Sequence, residues 1–168
     1  LELVRDGRLT PQLYSVPVGS EVVLRRPAKG LFLFDRTSGR LHHFMVATVT
    51  GVAPYVSMIR EMLRDGPDGY RVALLHGASR PAEFAYCEEI SGYARECDWL
   101  TYVPTVSQPW ASPGWTGEVG RAEDVLRKHL DAFRFHWSDT TAYLCGNPHM
   151  IRNAKGILER AGFPRQFV

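Results

Sequence analysis

The stretch Phe44 to Arg60, FMVATVTGVAPYVSMIR, decides how the rest of the chain is read. It opens as a short apolar run, Phe44 to Thr48, and passes through a turn at Thr50 and Gly51. Beyond the turn, apolar residues recur at helical spacing: Val52, Val56, Ile59 and Leu63. A strand, a tight loop and a helix are predicted in that order. A loop carrying hydroxyls and a glycine at a helix start offers unpaired N–H groups and the positive end of the helix dipole, which together suit a phosphate. Pro54 fits the first turn of that helix, where its missing N–H costs nothing. The fingerprint G-x-G-x-x-G and the Lys of a Walker loop are both absent, so the stretch alone reads equally well as an ordinary strand-to-helix connection.

Downstream the same grammar repeats. Further strands are predicted at Val72 to His76, Leu100 to Pro104 and Ala142 to Cys145. Helices are predicted at about Ala53 to Arg64, Pro81 to Arg95, Arg121 to Phe133 and Pro148 to Arg160. This alternation implies an α/β fold, a doubly wound parallel sheet with helices on both faces. The third helix carries Ala122, Val125, Leu126, His129, Leu130 and Phe133 on one stripe. In such a sheet ligands sit beyond the carboxyl ends of the strands, so Thr48 to Pro54, His76 to Arg80, Thr105 to Gln108 and Cys145 to Pro148 are expected to converge. The loop Ser107 to Gly117, SQPWASPGWTG, is of the long, Trp-bearing kind that binds more often than it packs.

Upstream the pattern differs. Leu1 to Arg5, Glu21 to Arg25 and Leu31 to Phe34 read as strands, the last two separated by the breaker run Pro27-Ala28-Lys29-Gly30. Thr10 is expected to cap a short helix with Pro11 at its first position. Such a portion cannot bury a core by itself.

The 168 residues suit one ordinary domain or one domain plus a fragment. A 45% hydrophobic and 23% charged composition excludes a disordered chain. With a net charge of only +2 and no basic run, nucleic acid is not an expected partner. No apolar run approaches the roughly 18 residues that a membrane span needs, and the opening LELVRDGRLT has no signal-peptide pattern, so the protein is read as cytoplasmic and not membrane-bound. Cys87, Cys97 and Cys145 form no C-x-x-C pair, which argues against a disulfide framework or a zinc site. His42 and His43 point to opposite faces of a strand and are expected at the surface or a strand edge, with no metal.

With these motifs in view, the sequence resembles the ferredoxin-NADP reductase family of bacterial type. The resemblance rests on AT-x-TG-x-AP (Ala47 to Pro54), HGAS followed by AEFAY (His76 to Tyr86), YVPTVS (Tyr102 to Ser107), WTG (Trp115 to Gly117) and CGNPHMI (Cys145 to Ile151), in order and at similar spacing. GRLTPQLY and EVVLRRPAKGLFLFD upstream look like the end of that family's flavin barrel. The resemblance implies that residues 1–38 are trailing strands of a partial antiparallel FAD-binding barrel and residues 39–168 an NAD(P)-binding domain. It also implies hydride transfer between NAD(P)H and FAD, with electrons passing to ferredoxin or flavodoxin. The protein's task is then to place two rings about 3 to 3.5 Å apart.

Residue by residue, the resemblance implies that Thr48, Thr50 and Gly51, with Ala53 and Pro54, form the loop for the dinucleotide pyrophosphate. Cys145 is implied as the catalytic residue beside the nicotinamide, with Gly146 allowing close approach and Asn147 and Pro148 opening the last helix. Thr10 matches the short helix over the FAD pyrophosphate. Gln108 and Glu118 stand at the positions that pair a 2′-phosphate at the coenzyme's adenosine end, where Ser79, Arg80, Ser107 and Arg121 could partly compensate. Small-apolar packing for Cys145 and simple helix-start roles for Arg80 and Arg121 stay open beside these assignments.

The chain departs from the family in several places. The flavin-gripping Arg-x-Tyr-Ser motif is absent, which implies a fragment of a larger reductase or a version reduced to its nucleotide domain. Gln108 and Glu118 replace the arginines that pair a 2′-phosphate, implying weakened NADP preference and use of NADH. Val49 stands where glycine is common, so the loop is expected either to take an ordinary backbone conformation there or to be strained. Phe167-Val168 is expected as an exposed tail. The reductase component of an oxygenase system and a non-catalytic nicotinamide-nucleotide sensor remain the alternatives.

Overall fold

The computed structural model describes residues 6–24, 26 and 29–168. They fall into two compact units divided between Leu33 and Phe34. The first contains the helix α1, Thr10–Ser15. Leu9, not Thr10, is its N-cap, and Thr10 is instead its first helical residue, because the helix runs one residue further toward the N-terminus than the capping pattern implied. Among the described residues no strand precedes His42. The expected strands over 21–24 and 31–34 therefore do not form there: extended chain becomes a strand only when a neighbour accepts its ladder hydrogen bonds. Val23 and Leu31 are almost fully exposed. The expected strand Leu1 to Arg5 lies outside the described residues, as does Arg25.

The second unit is a parallel five-stranded sheet in the order β4-β3-β2-β1-β5. Its strands are β1 (His42–Thr48), β2 (Arg71–Ala78), β3 (Leu100–Val106), β4 (Glu118–Val119) and β5 (Thr140–Cys145). Its helices are α2 (Ala53–Asp65), α3 (Cys87–Glu96), α4 (Ala122–Ala132) and α5 (Pro148–Arg160). The chain steps from β1 through β2 and β3 to β4 on one side, then returns across the sheet to lay β5 on the other side of β1. Between β1 and β5 the winding direction reverses, which is where a ligand crevice opens in such sheets.

Alternation along β1 builds two cores. Phe44 and Val46 face α4 and α5, meeting Leu126, Leu130, Met150 and Leu158. Met45 and Ala47 face α2 and α3, meeting Tyr55, Ile59, Met62 and Ile90. Both faces of the strand are covered, which is why it reads as an unbroken apolar run. Burying each such side chain contributes about 1.5 to 3 kcal/mol. In α2 the inward stripe includes Met62, while Leu63 is 38% exposed. The region expected as one helix from Pro81 is a 3-10 turn, Pro81–Glu83, followed by α3. The Glu83 carboxylate turns back to the Ser79 N–H, and Tyr86 takes a left-handed φ of 59°, so the first turn cannot run on into α3. The chain end is not an exposed tail: the Arg40 guanidinium sits 3.6 Å from the Phe167 ring centre, and Val168 packs against the α4–α5 core. Among the described residues no helix is long and apolar enough to cross a membrane.

His43 is not at the surface. The two histidines do point to opposite faces, His42 stacking on Phe135 and His43 lying fully buried among Phe34, Tyr70 and Tyr143. Burial of the central strand on both sides leaves no edge for His43 to occupy. Tyr143 Oη accepts from the Asp35 N–H at 3.1 Å and stands 3.0 Å from His43 Nδ1. Burial, the largest influence, pushes the His43 pKa from 6.5 down to about 4. In the unfolded chain this imidazole takes its proton near 6.5, so between those values the unfolded state binds more protons than the folded one. Stability is full above pH 6.5 and falls as the pH drops through 4, by about 3 kcal/mol for one such group. Urea unfolding at pH 7.5 and 4.5 is expected to show this loss, and His43→Phe to remove His43's share, leaving that of the likewise buried His76.

Candidate functional site

At the carboxyl end of β1 the chain enters a 3-10 turn, Val49–Val52, which leads directly into α2. At the end of β5, Cys145 and Gly146 lead into α5. These two turns seat against each other. Thr48 Oγ1 accepts the Asn147 N–H at 2.7 Å. A Cβ on Gly51 would lie 2.7 Å from the Cys145 carbonyl carbon and 2.8 Å from Gly146 Cα. Gly146 has a φ of 131°, and a Cβ there would come within 2.9 Å of the Thr48 backbone nitrogen. Both glycines are needed because backbone meets backbone. Asn147 caps α5, its Oδ1 accepting the His149 N–H at 2.8 Å, and Pro148 is the first helical residue. Thr50, Ala53, Gly146, Asn147 and Pro148 lie at the surface or near it, around the junction of the two turns.

Val49 adopts a left-handed φ of 47°. Of the two outcomes open for a β-branched residue where glycine is common, the strained one holds, at a cost of about 1–3 kcal/mol. Its carbonyl accepts from His76 Nε2 at 2.8 Å. A carbonyl can only accept, so Nε2 carries the proton, and the neutral ring's Nδ1 accepts from Tyr102 Oη at 3.0 Å. Burial pushes the His76 pKa down to about 4, which keeps the ring neutral.

The ends of β2 and β3 lie alongside. Ser107 donates its N–H to the Ala78 carbonyl at 3.0 Å and Gln108 to the Ser79 carbonyl at 3.1 Å, so Ser79, Ser107 and Gln108 are neighbours. The Ser79 N–H is itself taken by Glu83 Oε2 at 2.9 Å. Arg80 is exposed. The Ser107 to Gly117 loop is braced by Trp115, whose indole N–H donates to the Glu118 carbonyl at 2.9 Å and whose ring lies against Gly117 and Phe84. Trp110 remains 76% exposed. The Glu118 side chain is held by Lys128 at 2.6 Å and His129 at 2.8 Å. Above all the Lys128 hydrogen bond keeps its carboxyl below the usual range. Its charge is therefore partly answered within the protein.

Cys145 is half-buried against Tyr55 and the α2 core, and burial pushes its thiol up. It is a neutral wall, not a thiolate nucleophile. Of the residues singled out from the sequence, Thr48, Gly51, Cys145, Gly146 and Asn147 meet directly, with Thr50, Ala53 and Pro54 in the same turn and helix start. Ser79, Arg80, Ser107 and Gln108 border the adjacent strand ends. Thr10 belongs to the other unit, on α1. His76, Tyr102 and Glu83 were named only as parts of the expected strand end and motifs, with no role of their own. A histidine inside the apolar strand run ALLHG was the available signal, since a buried polar side chain requires partners.

Residues 45–156, more than half of the chain, match the model of the oxidoreductase NAD-binding domain. The chain belongs to that family. The reductase component of phenol 2-monooxygenase from Pseudomonas sp. (strain CF600) is 32% identical over 90% of this chain and 41% of its own length. Ferredoxin–NADP reductase of Pseudomonas aeruginosa is 26% identical over 95% of this chain and 64% of its own. This family member thus spans between 41% and 64% of the length of those relatives. The cytochrome b5 reductase domain of Ulva prolifera nitrate reductase superposes with a TM-score of 0.79 at 26% identity, over 95% of this chain and 63% of that one. The Neisseria gonorrhoeae ferredoxin NADP+ reductase with bound FAD and NADP shares the fold, with a TM-score of 0.78 at 22% identity over 95% and 65%.

The seating of the two turns is tested by Gly51→Ala. The added methyl meets backbone that has no side-chain freedom to yield, so a loss of about 1–3 kcal/mol or more in unfolding free energy is expected by urea titration. Gly66→Ala, where a Cβ meets nothing but φ is 100°, separates crowding from backbone strain.

Proposed function

We propose that this chain is the nicotinamide-dinucleotide-binding part of a cytoplasmic, FAD-dependent NAD(P)H oxidoreductase that passes electrons to ferredoxin or flavodoxin. The observation that carries the reading is the mutual seating of the Thr48–Gly51 and Cys145–Asn147 turns at the point where the sheet's winding reverses. When bound, the nicotinamide would supply a hydride and FAD would be its acceptor. This chain's residues bind and orient. The turn Thr48, Thr50 and Gly51, with Ala53 and Pro54 at the start of α2, receives the pyrophosphate at a helix N-terminus. Cys145 and Gly146 form the wall beside the nicotinamide, the half-buried neutral thiol adding no competing charge and Gly146 no side chain. Asn147 and Pro148 shape the opposite lip. FAD belongs to the complete enzyme: the described residues before His42 form no strand to cradle it, and Thr10 on a six-residue helix is assigned no step.

Ser79, Arg80, Ser107 and Gln108 border the adenosine end. There Glu83 already takes the Ser79 N–H, and Gln108 and Glu118 present no guanidinium. A 2′-phosphate would meet the Glu83 and Glu118 carboxylates, with Arg80 answering only part of their charge, whereas a 2′-hydroxyl can donate to a carboxylate, so NADH is the favoured coenzyme. The Lys128 and His129 partners of Glu118 moderate its repulsion without replacing a clamp. The relative 32% identical to this chain favours a second reading of the acceptor, an oxygenase component in place of ferredoxin or flavodoxin.

Calorimetric titration with NADH and NADPH tests this reading. NADH is expected to bind at least as tightly as NADPH, and Gln108→Arg to shift the ratio toward NADPH by about tenfold, as one charge-assisted pair would. NADPH binding about a hundredfold more tightly than NADH to the unaltered chain would defeat the coenzyme assignment. No binding of either would defeat the site.

A further inference from the structure

The turn taken to receive the pyrophosphate is built on a contradiction: its second residue is a valine in a conformation that valine resists. What surrounds Val49 explains how it is kept there. The imidazole of His76, on the neighbouring strand β2 and paired in register with Ala47, lies fully buried beneath the turn. Its Nε2–H reaches the Val49 carbonyl at 2.8 Å, and its Nδ1 is fixed by Tyr102 Oη at 3.0 Å from the next strand, β3. Phe84 closes against the ring edge, with centroids 4.9 Å apart. The ring has one orientation and one tautomer, and its donor serves a single acceptor.

The Val49 carbonyl and the Thr50 N–H belong to one planar trans peptide and point in opposite directions. A donor that pins the carbonyl from the buried side therefore aims the Thr50 N–H away from the core, toward the outer side of the turn. Resting on the proposed role of that turn, we infer that His76 is a positioning residue for dinucleotide binding: it holds the Val49–Thr50 peptide so that the turn keeps its phosphate-receiving shape. Tyr102 acts one step further back, by holding the imidazole in the tautomer that donates. His76 touches no part of the coenzyme and takes no proton during the reaction.

The test is NADH titration by calorimetry on the unaltered chain and three variants, with circular dichroism to verify folding. His76→Phe keeps the ring volume and removes the donor, and is expected to weaken NADH by about tenfold or more. His76→Gln offers an amide donor near the Nε2 position and is expected to stay within about threefold of the unaltered chain. Val49→Gly added to His76→Phe is expected to recover most of the loss, because glycine holds a positive φ without a clamp. A histidine that merely filled space would not be repaired by removing the valine side chain. Folded His76→Phe binding NADH as tightly as the unaltered chain overturns the inference, and so does failure of Val49→Gly to recover any of the loss. Should His76→Phe not fold, nitrogen-15 shifts of His76 in the unaltered chain decide: protonation at Nε2 supports the clamp, and protonation at Nδ1 overturns it. If the unaltered chain binds no nucleotide, the role assigned to the turn fails, and the tautomer still reports on the clamp separately.

Discussion

Two turns 99 residues apart in the chain are joined by one hydrogen bond at 2.7 Å, from the Asn147 N–H to the Thr48 hydroxyl, and beside it the Gly51 and Gly146 backbones pack closely against the facing turn. This contact sets how closely the end of β1 approaches the end of β5 at the sheet's switch point. It depends on two glycines for different reasons. Gly51 needs the missing side chain for space alone, whereas Gly146 needs both the space and a left-handed backbone. Everything assigned to the site rests on the strands delivering these turns in register, Ala47 opposite both His76 and Cys145.

The sheet that delivers them is held by burial on both faces, and its polar groups are placed under that constraint. His43 and His76 are both fully buried on β1 and β2, and desolvation holds both neutral. They serve different ends of the sheet. His43 faces Phe34, Tyr70 and Tyr143 near the amino ends of the strands, while His76 reaches the turn at the carboxyl ends. The site therefore gains its shape from hydrogen bonds fixed by packing, not from charge. At the ends of β2 and β3 charged side chains are paired within the protein: Glu83 takes the Ser79 N–H, and Glu118 is held by Lys128 and His129.

Much of the fold was legible because its signals are local. The apolar run of β1, the stripe of α4 and the Asn-Pro start of α5 each declare their element within a few residues. The convergence of the strand ends followed from the alternation of strand and helix alone. The failures share a cause. Strands expected over 21–24 and 31–34 are short apolar runs with no described partner, and pairing is not a local property. The helix expected from Pro81 broke because Glu83 is drawn back to Ser79 and Tyr86 turns left-handed, neither of which periodicity can register.

By itself the sequence determined the class of fold, the order of its elements and the stretches that meet at the crevice, since composition and period act along the chain. Only the tertiary structure decided that His43 is core, that Val49 takes the strained backbone, and that His76 and Tyr102 underlie the turn. It likewise decided that Glu118 spends its charge on Lys128 and His129. The physical reason is the same throughout. Burial, tautomer and ion pairing depend on which residues approach through space, and a parallel sheet brings together residues that lie tens of positions apart.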